Sequence, residues 1–289
     1  MKYLYYPGCS LKSSGRSYEE SILPVFKALG SELVEMDGWN CCGATSYMSI
    51  DDTVAISLIT RNLALAEKQQ KEKNIGNHNL IAPCAACYMG LIKAQKYLIE
   101  NAELKANVLK NLNNAGLPCE SEKTISIRHP LDIIVNEIGI DKIKSAVKKP
   151  LAGKKVASYY GCQIVRPYSE FDDARDPQTM DRIVEALGGE PIDWPLKTRC
   201  CSGTMTSTLP DSGLRLNYLL LKEAKKRGAD TIITACPLCQ FNLECFQGKI
   251  NRAYKDNIDI SVMYFTQLMG MAFGLEKKEI GLHRMLCKV

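Results

Sequence analysis

Leu80-Ile81-Ala82-Pro83-Cys84-Ala85-Ala86-Cys87 and Ile232-Ile233-Thr234-Ala235-Cys236-Pro237-Leu238-Cys239 share one pattern, written twice in the chain. In each, a short apolar run reads as a buried strand and ends on a cysteine, and a CxxC leads into the next element. Outward from these stretches the likeness continues. Cys9 and the vicinal pair Cys41-Cys42 precede the first, and Cys162 and Cys200-Cys201 precede the second. Tyr5-Tyr6-Pro7-Gly8-Cys9 answers Tyr159-Tyr160-Gly161-Cys162. Ten of the thirteen cysteines therefore fall into one pattern, C…CC…CxxC, present in two copies. Repetition on this scale marks a duplicated module, and a duplicated thiol constellation marks two sites. The division expected from it is 1–145 and 146–289, with the lysine-rich stretch Asp141–Lys155 as linker.

The intervening residues read as alternating strands and helices. Residues 2–6 form a strand, with Cys9 just past its end. A Ser17–Glu20 capping box then opens a helix in which Tyr18, Ile22, Phe26 and Leu29 share one face, and Pro24 predicts an irregular first turn. Residues 32–36 form a second strand before Cys41-Cys42, a helix covers 52–70, a strand covers 79–82, and Cys87 opens a helix over 88–100. The second copy repeats the order: a strand over 156–160, a helix capped at Asp176-Pro177, residues 190–194, a helix over 214–227 and a strand over 231–235. Each copy closes with a further strand, 124–128 and 259–264. Alternation of this kind predicts an α/β protein of two similar modules related by a pseudo-twofold axis. Each would hold a small parallel sheet with flanking helices. Ligands of such sheets bind beyond the carboxyl ends of the strands, which is where every pattern cysteine falls.

Bulk composition narrows the function. Of 289 residues, 46% are hydrophobic and 24% charged, which suits a globular protein with an ample core. The net charge is only +5 and basic runs are short, so nucleic-acid binding is not indicated. No apolar run reaches the roughly 18–20 residues of a membrane span. The first residues are too short and too aromatic for a secretory signal, and the expected location is the cytoplasm. In a reducing compartment thirteen thiols point to metal rather than to disulfides.

Zinc and cubane four-iron clusters each take four protein ligands, whereas each copy here offers five thiols. The Cα atoms of a vicinal pair lie only ~3.8 Å apart, so both sulfurs reach one extended centre. Either one thiol per copy is a spectator or the cluster is not an ordinary cubane, and duplication of the full five favours the latter. No CxxCxxCxxxCP run occurs, which leaves relay cubanes to another polypeptide, and no GxGxxG follows a strand, so no flavin or nicotinamide site is expected.

The doubled motif over residues 9–87 and 162–239 resembles the cysteine-rich CCG domain family. In length and in its two full copies the chain is similar to the B subunits of the heterodisulfide reductases of methanogenic archaea. The resemblance implies two non-cubane [4Fe-4S] clusters, one held by Cys9, Cys41, Cys42, Cys84 and Cys87 and the other by Cys162, Cys200, Cys201, Cys236 and Cys239. It further implies reduction of the small-molecule disulfide of coenzyme M and coenzyme B between the two clusters. The implied partners are the iron–sulfur and the flavin-containing subunits of such a reductase, with a hydrogenase or formate dehydrogenase upstream. Cys200-Cys201-Ser202-Gly203 departs from the pattern by one serine, with no expected effect on ligation.

Other residues are weaker candidates. His129 ends the last strand of the first copy at the cysteine edge, where a proton donor for thiolate release would sit; a hydrogen-bonded structural histidine is the competing reading. Tyr264 is its counterpart in the second copy. Arg16, Arg166 and Arg199 are candidate contacts for an anionic substrate. His78 and His283 read as surface residues, Cys245 as a core thiol, and Cys119 and Cys287 as lying outside the pattern. Two other functions compete: the iron–sulfur subunit of a lactate, glycolate or quinone-linked dehydrogenase complex, and a non-catalytic electron-transfer or zinc-stabilised subunit.

Overall fold

The computed structural model describes residues 1–43, 47–118 and 125–287. In chain order the elements are β1 (Lys2–Tyr5), α1 (Arg16–Ala28), β2 (Glu32–Glu35), α2 (Asp52–Glu72), β3 (Asn79–Ile81), α3 (Ala85–Glu100), α4 (Ala102–Asn114), β4 (Ser126–Arg128) and α5 (Ile140–Ala146). There follow β5 (Lys155–Tyr159), α6 (Thr179–Ala186), β6 (Glu190–Pro191), α7 (Pro210–Lys226), β7 (Thr231–Thr234), α8 (Pro237–Cys245), α9 (Gln247–Tyr254), β8 (Ser261–Tyr264) and α10 (Phe265–Ala272). The strands form two four-stranded parallel sheets of matching order, β2-β1-β3-β4 and β6-β5-β7-β8. Tyr5 registers with Ile81 in one and Tyr159 with Thr234 in the other. The inner strands β3 and β7 are buried along their whole length. That is why Leu80-Ile81 and Ile232-Ile233 within them are apolar on successive residues, with no alternation.

Two compact units result. One comprises Met1–Cys9 and Ser31–Pro130, the other Ser10–Gly30 and Leu131–Val289. The repeat in the sequence divides the chain at one point near residue 145. Packing instead assigns α1, which follows β1 in the chain, to the unit of the second sheet. The cause lies in the stripe formed by Ser17, Tyr18, Ser21, Ile22, Val25 and Phe26, all buried. Tyr18 stacks on Tyr264 with ring centroids 4.3 Å apart. Ser21 Oγ lies 2.6 Å from Thr266 Oγ1 at the start of α10. On the rim, Arg284 donates twice to the Glu20 carboxylate, at 2.8 Å each. Gly281, at φ +67°, lets the chain pass so close that a Cβ there would meet Ser17 Cα at 2.8 Å.

Several local expectations are corrected. The Ser17–Glu20 capping box does not form: α1 begins at Arg16 after Gly15, with no side-chain cap, because Ser17 is buried and Glu20 pairs with Arg284. The same helix runs through Pro24 without a break. The start of α6 is capped not by Asp176 but by Asp172, whose carboxylate accepts from Gln178 N at 3.0 Å and Thr179 N at 2.8 Å. Asp176 instead pairs with Lys197 Nζ at 3.0 Å. The front of the expected linker is helical, as α5. Thr124 and Cys119 lie outside the described residues. Among the described residues, no helix is long and apolar enough to cross a membrane.

Replacing Tyr18 with alanine removes a fully buried ring and is expected to cost about 3–5 kcal/mol. Amide hydrogen exchange will locate the loss: protection should fall in α10 and β8, whereas loss confined to β1–β4 would contradict the assignment of α1.

Two candidate metal centres

Parallel strands bring the cysteines together. Cys9 lies in the single helical turn Gly8–Leu11 after β1, and Cys41-Cys42 lie in the loop after β2. Cys84 is the N-cap of α3 and Cys87 sits in that helix's first turn, just past β3. Because β2, β1 and β3 are neighbours, their carboxyl ends deliver all five thiols to one edge. Cys9 Sγ lies 3.7 Å from Cys41 Sγ, and Cys42 Sγ lies 2.9 Å from Cys87 Sγ. The second sheet repeats this with Cys162 and Cys200 at 3.9 Å and Cys201 and Cys239 at 3.5 Å, and with Cys236 as the N-cap of α8. Among the described residues no His, Cys, Asp and Glu side chains are grouped to hold a single metal ion. The sulfurs of each set form a chain of contacts rather than a cage round one point.

Exposure follows the same rule in both sets. Cys9, Cys41 and Cys200 are exposed and Cys162 is half-buried, whereas Cys42, Cys84, Cys87, Cys201, Cys236 and Cys239 are buried. Each set is thus open on one side and closed on the other. Cys87 is pushed well above the usual thiol range by its contacts with Cys42 and Cys84 and then by burial, and Cys239 likewise by Cys201 and Cys236. Cys41 and Cys162 move up for the same reasons, while contacts with Cys162 and Cys201 pull Cys200 far down. Thiols crowded in this way hold protons that a bound cation would displace. An all-sulfur donor set of this kind suits soft metals and iron–sulfur centres.

Matching supports surround the two sets. Gly8 and Gly161 stand before the first cysteine at φ +68° and +69°. A Cβ on Gly8 would meet Cys87 Sγ at 2.9 Å, and one on Gly161 would meet Cys239 Sγ at 3.0 Å. Glycine is required there both for the backbone conformation and for the approach of the sulfur. Tyr6 and Tyr159 lie against these glycines, and their hydroxyls donate to Asn40 O at 2.8 Å and Arg199 O at 2.7 Å. Those carbonyls belong to the residues just before the vicinal pairs. One tyrosine therefore ties the first cysteine loop to the second in each unit. The sequence contained the signal, since both tyrosines flank the repeat, but a flank does not reveal a hydrogen bond. In the second unit Lys197 adds another tie. Its carbonyl accepts from Tyr160 N and Gly161 N at 2.9 and 3.1 Å, while its buried ammonium reaches Asp181 at 2.7 Å.

Other candidates lie elsewhere. His129 is fully buried rather than on an open rim; its Nε2 lies 3.0 Å from Pro83 O and its ring meets Tyr88 edge-on. In that position it holds the strand end that leads into Cys84. Tyr264 is also fully buried, under Tyr18. Arg16 pairs with Glu20 at 3.5 Å. Arg166 donates to Thr198 O and lies near Cys200, and the Arg199 side chain is exposed. His78 and His283 are exposed. Cys245, expected in the core, is exposed, because it falls on the outer face of α8. Cys287 is half-buried, with its backbone N–H donated to Glu244 Oε1 at 3.3 Å.

Two parallel α/β units, each closing five thiols at its strand ends, define a twin thiol-cluster protein. The chain belongs to the cysteine-rich domain family named CCG, whose model matches residues 3–92 and again 156–244. It is 30% identical, over 98% of its length and 95% of the relative's, to the 8-methylmenaquinol:fumarate reductase membrane anchor subunit of Wolinella succinogenes. It is 28% identical, over 96% of its length and 91% of the relative's, to the B subunit of the ferredoxin:CoB-CoM heterodisulfide reductase of Methanosarcina mazei. Among solved structures, a hypothetical protein from Helicobacter pylori shares the fold at a TM-score of 0.75 and 18% identity. That match covers 99% of this chain and 52% of the other, so this chain spans about half of the solved one.

Gly8→Ala and Gly161→Ala should each lose more stability in chemical denaturation than Gly30→Ala. All three pay about 1–2 kcal/mol for a left-handed backbone, but nothing lies within 4 Å of a Cβ on Gly30, whereas the other two displace a sulfur. Equal losses at the three positions would contradict the packing of Gly8 and Gly161 against the thiols.

Proposed function

We propose that this chain is the catalytic iron–sulfur subunit of a heterodisulfide reductase, which reduces the mixed disulfide of coenzyme M and coenzyme B to two thiols in methanogenesis. The observation that carries the reading is the duplicated five-thiol set; the identity shared with the B subunit of a heterodisulfide reductase over almost the whole chain supports it. Cys9, Cys41, Cys42, Cys84 and Cys87 would hold one non-cubane [4Fe-4S] cluster, and Cys162, Cys200, Cys201, Cys236 and Cys239 the other. When bound, such clusters supply single electrons and a soft metal that attracts sulfur. The reaction takes two electrons and two protons: the S–S bond breaks and each sulfur leaves as a thiol.

The chain's own residues shape that chemistry. The buried thiols and the glycines behind them close each set on the inner side. Exposed Cys9, Cys41 and Cys200 leave the outer side open to a reactant. Tyr6 and Tyr159 hold the loops of the first and vicinal cysteines together, and His129 anchors the turn into Cys84, a positioning part rather than the proton-donor part expected from its place in the sequence. Electrons would arrive from the reductase's iron–sulfur and flavin-containing subunits, fed by a hydrogenase or formate dehydrogenase. We place the complex in the cytoplasm, where thiol ligands stay reduced.

A second reading is favoured by the 30% identity to the Wolinella succinogenes protein: an electron-transferring subunit of a quinol-linked fumarate reductase. The natively purified complex decides between them in an anaerobic assay of reduced-dye oxidation, with the mixed disulfide, fumarate, lactate, glycolate and succinate tested side by side. Turnover with the mixed disulfide is expected. Inertness toward it, together with quinol-dependent fumarate reduction, would transfer the chain to the second reading. Cys41→Ser and Cys42→Ser, made singly, should each impair one cluster and spare the other. A variant with the iron content and spectrum of the parent would show that its thiol is a spectator.

A further inference from the structure

The two thiol sets sit on sheets of matching strand order, but one side-chain donor beside the second set has no counterpart at its place in the first repeat. Asn242 lies on α8, three residues after Cys239, and is 1% exposed. Its Nδ2 lies 2.8 Å from Gly203 O, 3.1 Å from Cys201 O and 3.5 Å from Cys201 Sγ. Three residues after Cys87, at the matching place of the first repeat, stands Gly90, which has no side chain. The amide therefore meets the second set from a position that the first repeat fills with glycine.

The loop it touches is the one that departs from the repeat. Cys42 is followed directly by Gly43 at φ +63°, whereas Cys201 is followed by Ser202 at φ +76° and Gly203 at φ +58°. The inserted serine is thus a second left-handed residue, in a conformation that disfavours a Cβ. Its hydroxyl is 2.6 Å from Thr206 Oγ1, itself 3.2 Å from Asn217 Nδ2, and all three residues are buried. Asn242 spans the same turn by donating to the carbonyls on either side of Ser202. Once the turn is held, the third contact of that NH2 group is the sulfur of Cys201, the buried member of the vicinal pair.

We propose that Asn242 is a positioning residue of the second thiol set, and that one of its two amide N–H groups, shared between Cys201 O and Cys201 Sγ, raises the reduction potential of the cluster held there. The proposal rests on the reading that each set binds an iron–sulfur cluster. An N–H pointed at a ligand sulfur stabilises the added negative charge of the reduced centre, and neighbours of this kind set cluster potentials. With no side chain at Gly90, this contribution falls on one cluster of the two and biases where an incoming electron rests.

The test is an EPR-monitored redox titration of the natively purified, anaerobic complex in the parent, N242L and N242D forms. Leucine keeps the volume and removes the donor; aspartate puts an acceptor in its place. One of the two cluster midpoints should move to more negative potential in N242L, and further in N242D, while the other stays where it was. Unmoved midpoints in both variants at full iron content would overturn the proposal and leave the cluster reading intact; a parent protein without iron would sink both. Should N242L lose iron, pulsed EPR of the parent exchanged into deuterium oxide decides. Coupling of a slowly exchanging amide deuteron to one cluster supports the proposal, and its absence from both overturns it.

Discussion

Five thiols pressed into contact cannot all be thiolates unless positive charge lies among them, and the strand ends are what press them together. Everything else near the two sites follows from that constraint. Neighbouring parallel strands end at one edge, so a cysteine after each needs no long-range coincidence to meet the others. The sulfur contacts, 2.9 and 3.7 Å in the first unit and 3.5 and 3.9 Å in the second, raise the proton affinity of Cys87 and Cys239 and leave those thiols dependent on a cation for ionisation.

Holding such a set together takes a rigid frame, and the two units solve this in the same way. A left-handed glycine lets a buried sulfur approach the backbone, and a tyrosine behind it fastens the vicinal loop through one carbonyl. Burial pushes the Tyr6 and Tyr159 hydroxyls upward, and the nearby cysteine thiols push the same way, so both remain donors. One difference between the units lies at the vicinal loop. The second carries an extra left-handed serine and the polar cluster of Thr206, Asn217 and Asn242 that holds it.

Much of this was legible in the sequence, for physical reasons. Short apolar runs ending on CxxC read as buried strands feeding helices, and the doubled pattern placed the ten cysteines at matching edges. Less was legible wherever a pattern defines a face but not its partner. The stripe of Tyr18, Ile22 and Phe26 announced a buried helix, yet nothing in it announced the sheet of the other repeat. Asp176 and Asp172 are both plausible caps by type, and only the folded loop selects Asp172. His129 marked the right strand end, but periodicity is silent on depth, and its burial against Pro83 and Tyr88 emerged only with the fold. Cys245 misled for the same reason, lying on the outer face of a helix whose inner face carries Cys239.

Relatives of similar identity bear the names of heterodisulfide reductase and fumarate reductase subunits, so family membership leaves the substrate open. The central claim is therefore about the metal: each five-thiol set holds one four-iron cluster. Iron, zinc and acid-labile sulfide counted on anaerobically purified protein test it directly. The account predicts about eight irons per chain with an equal amount of sulfide. Zinc in place of iron, or about four irons per chain, would contradict it.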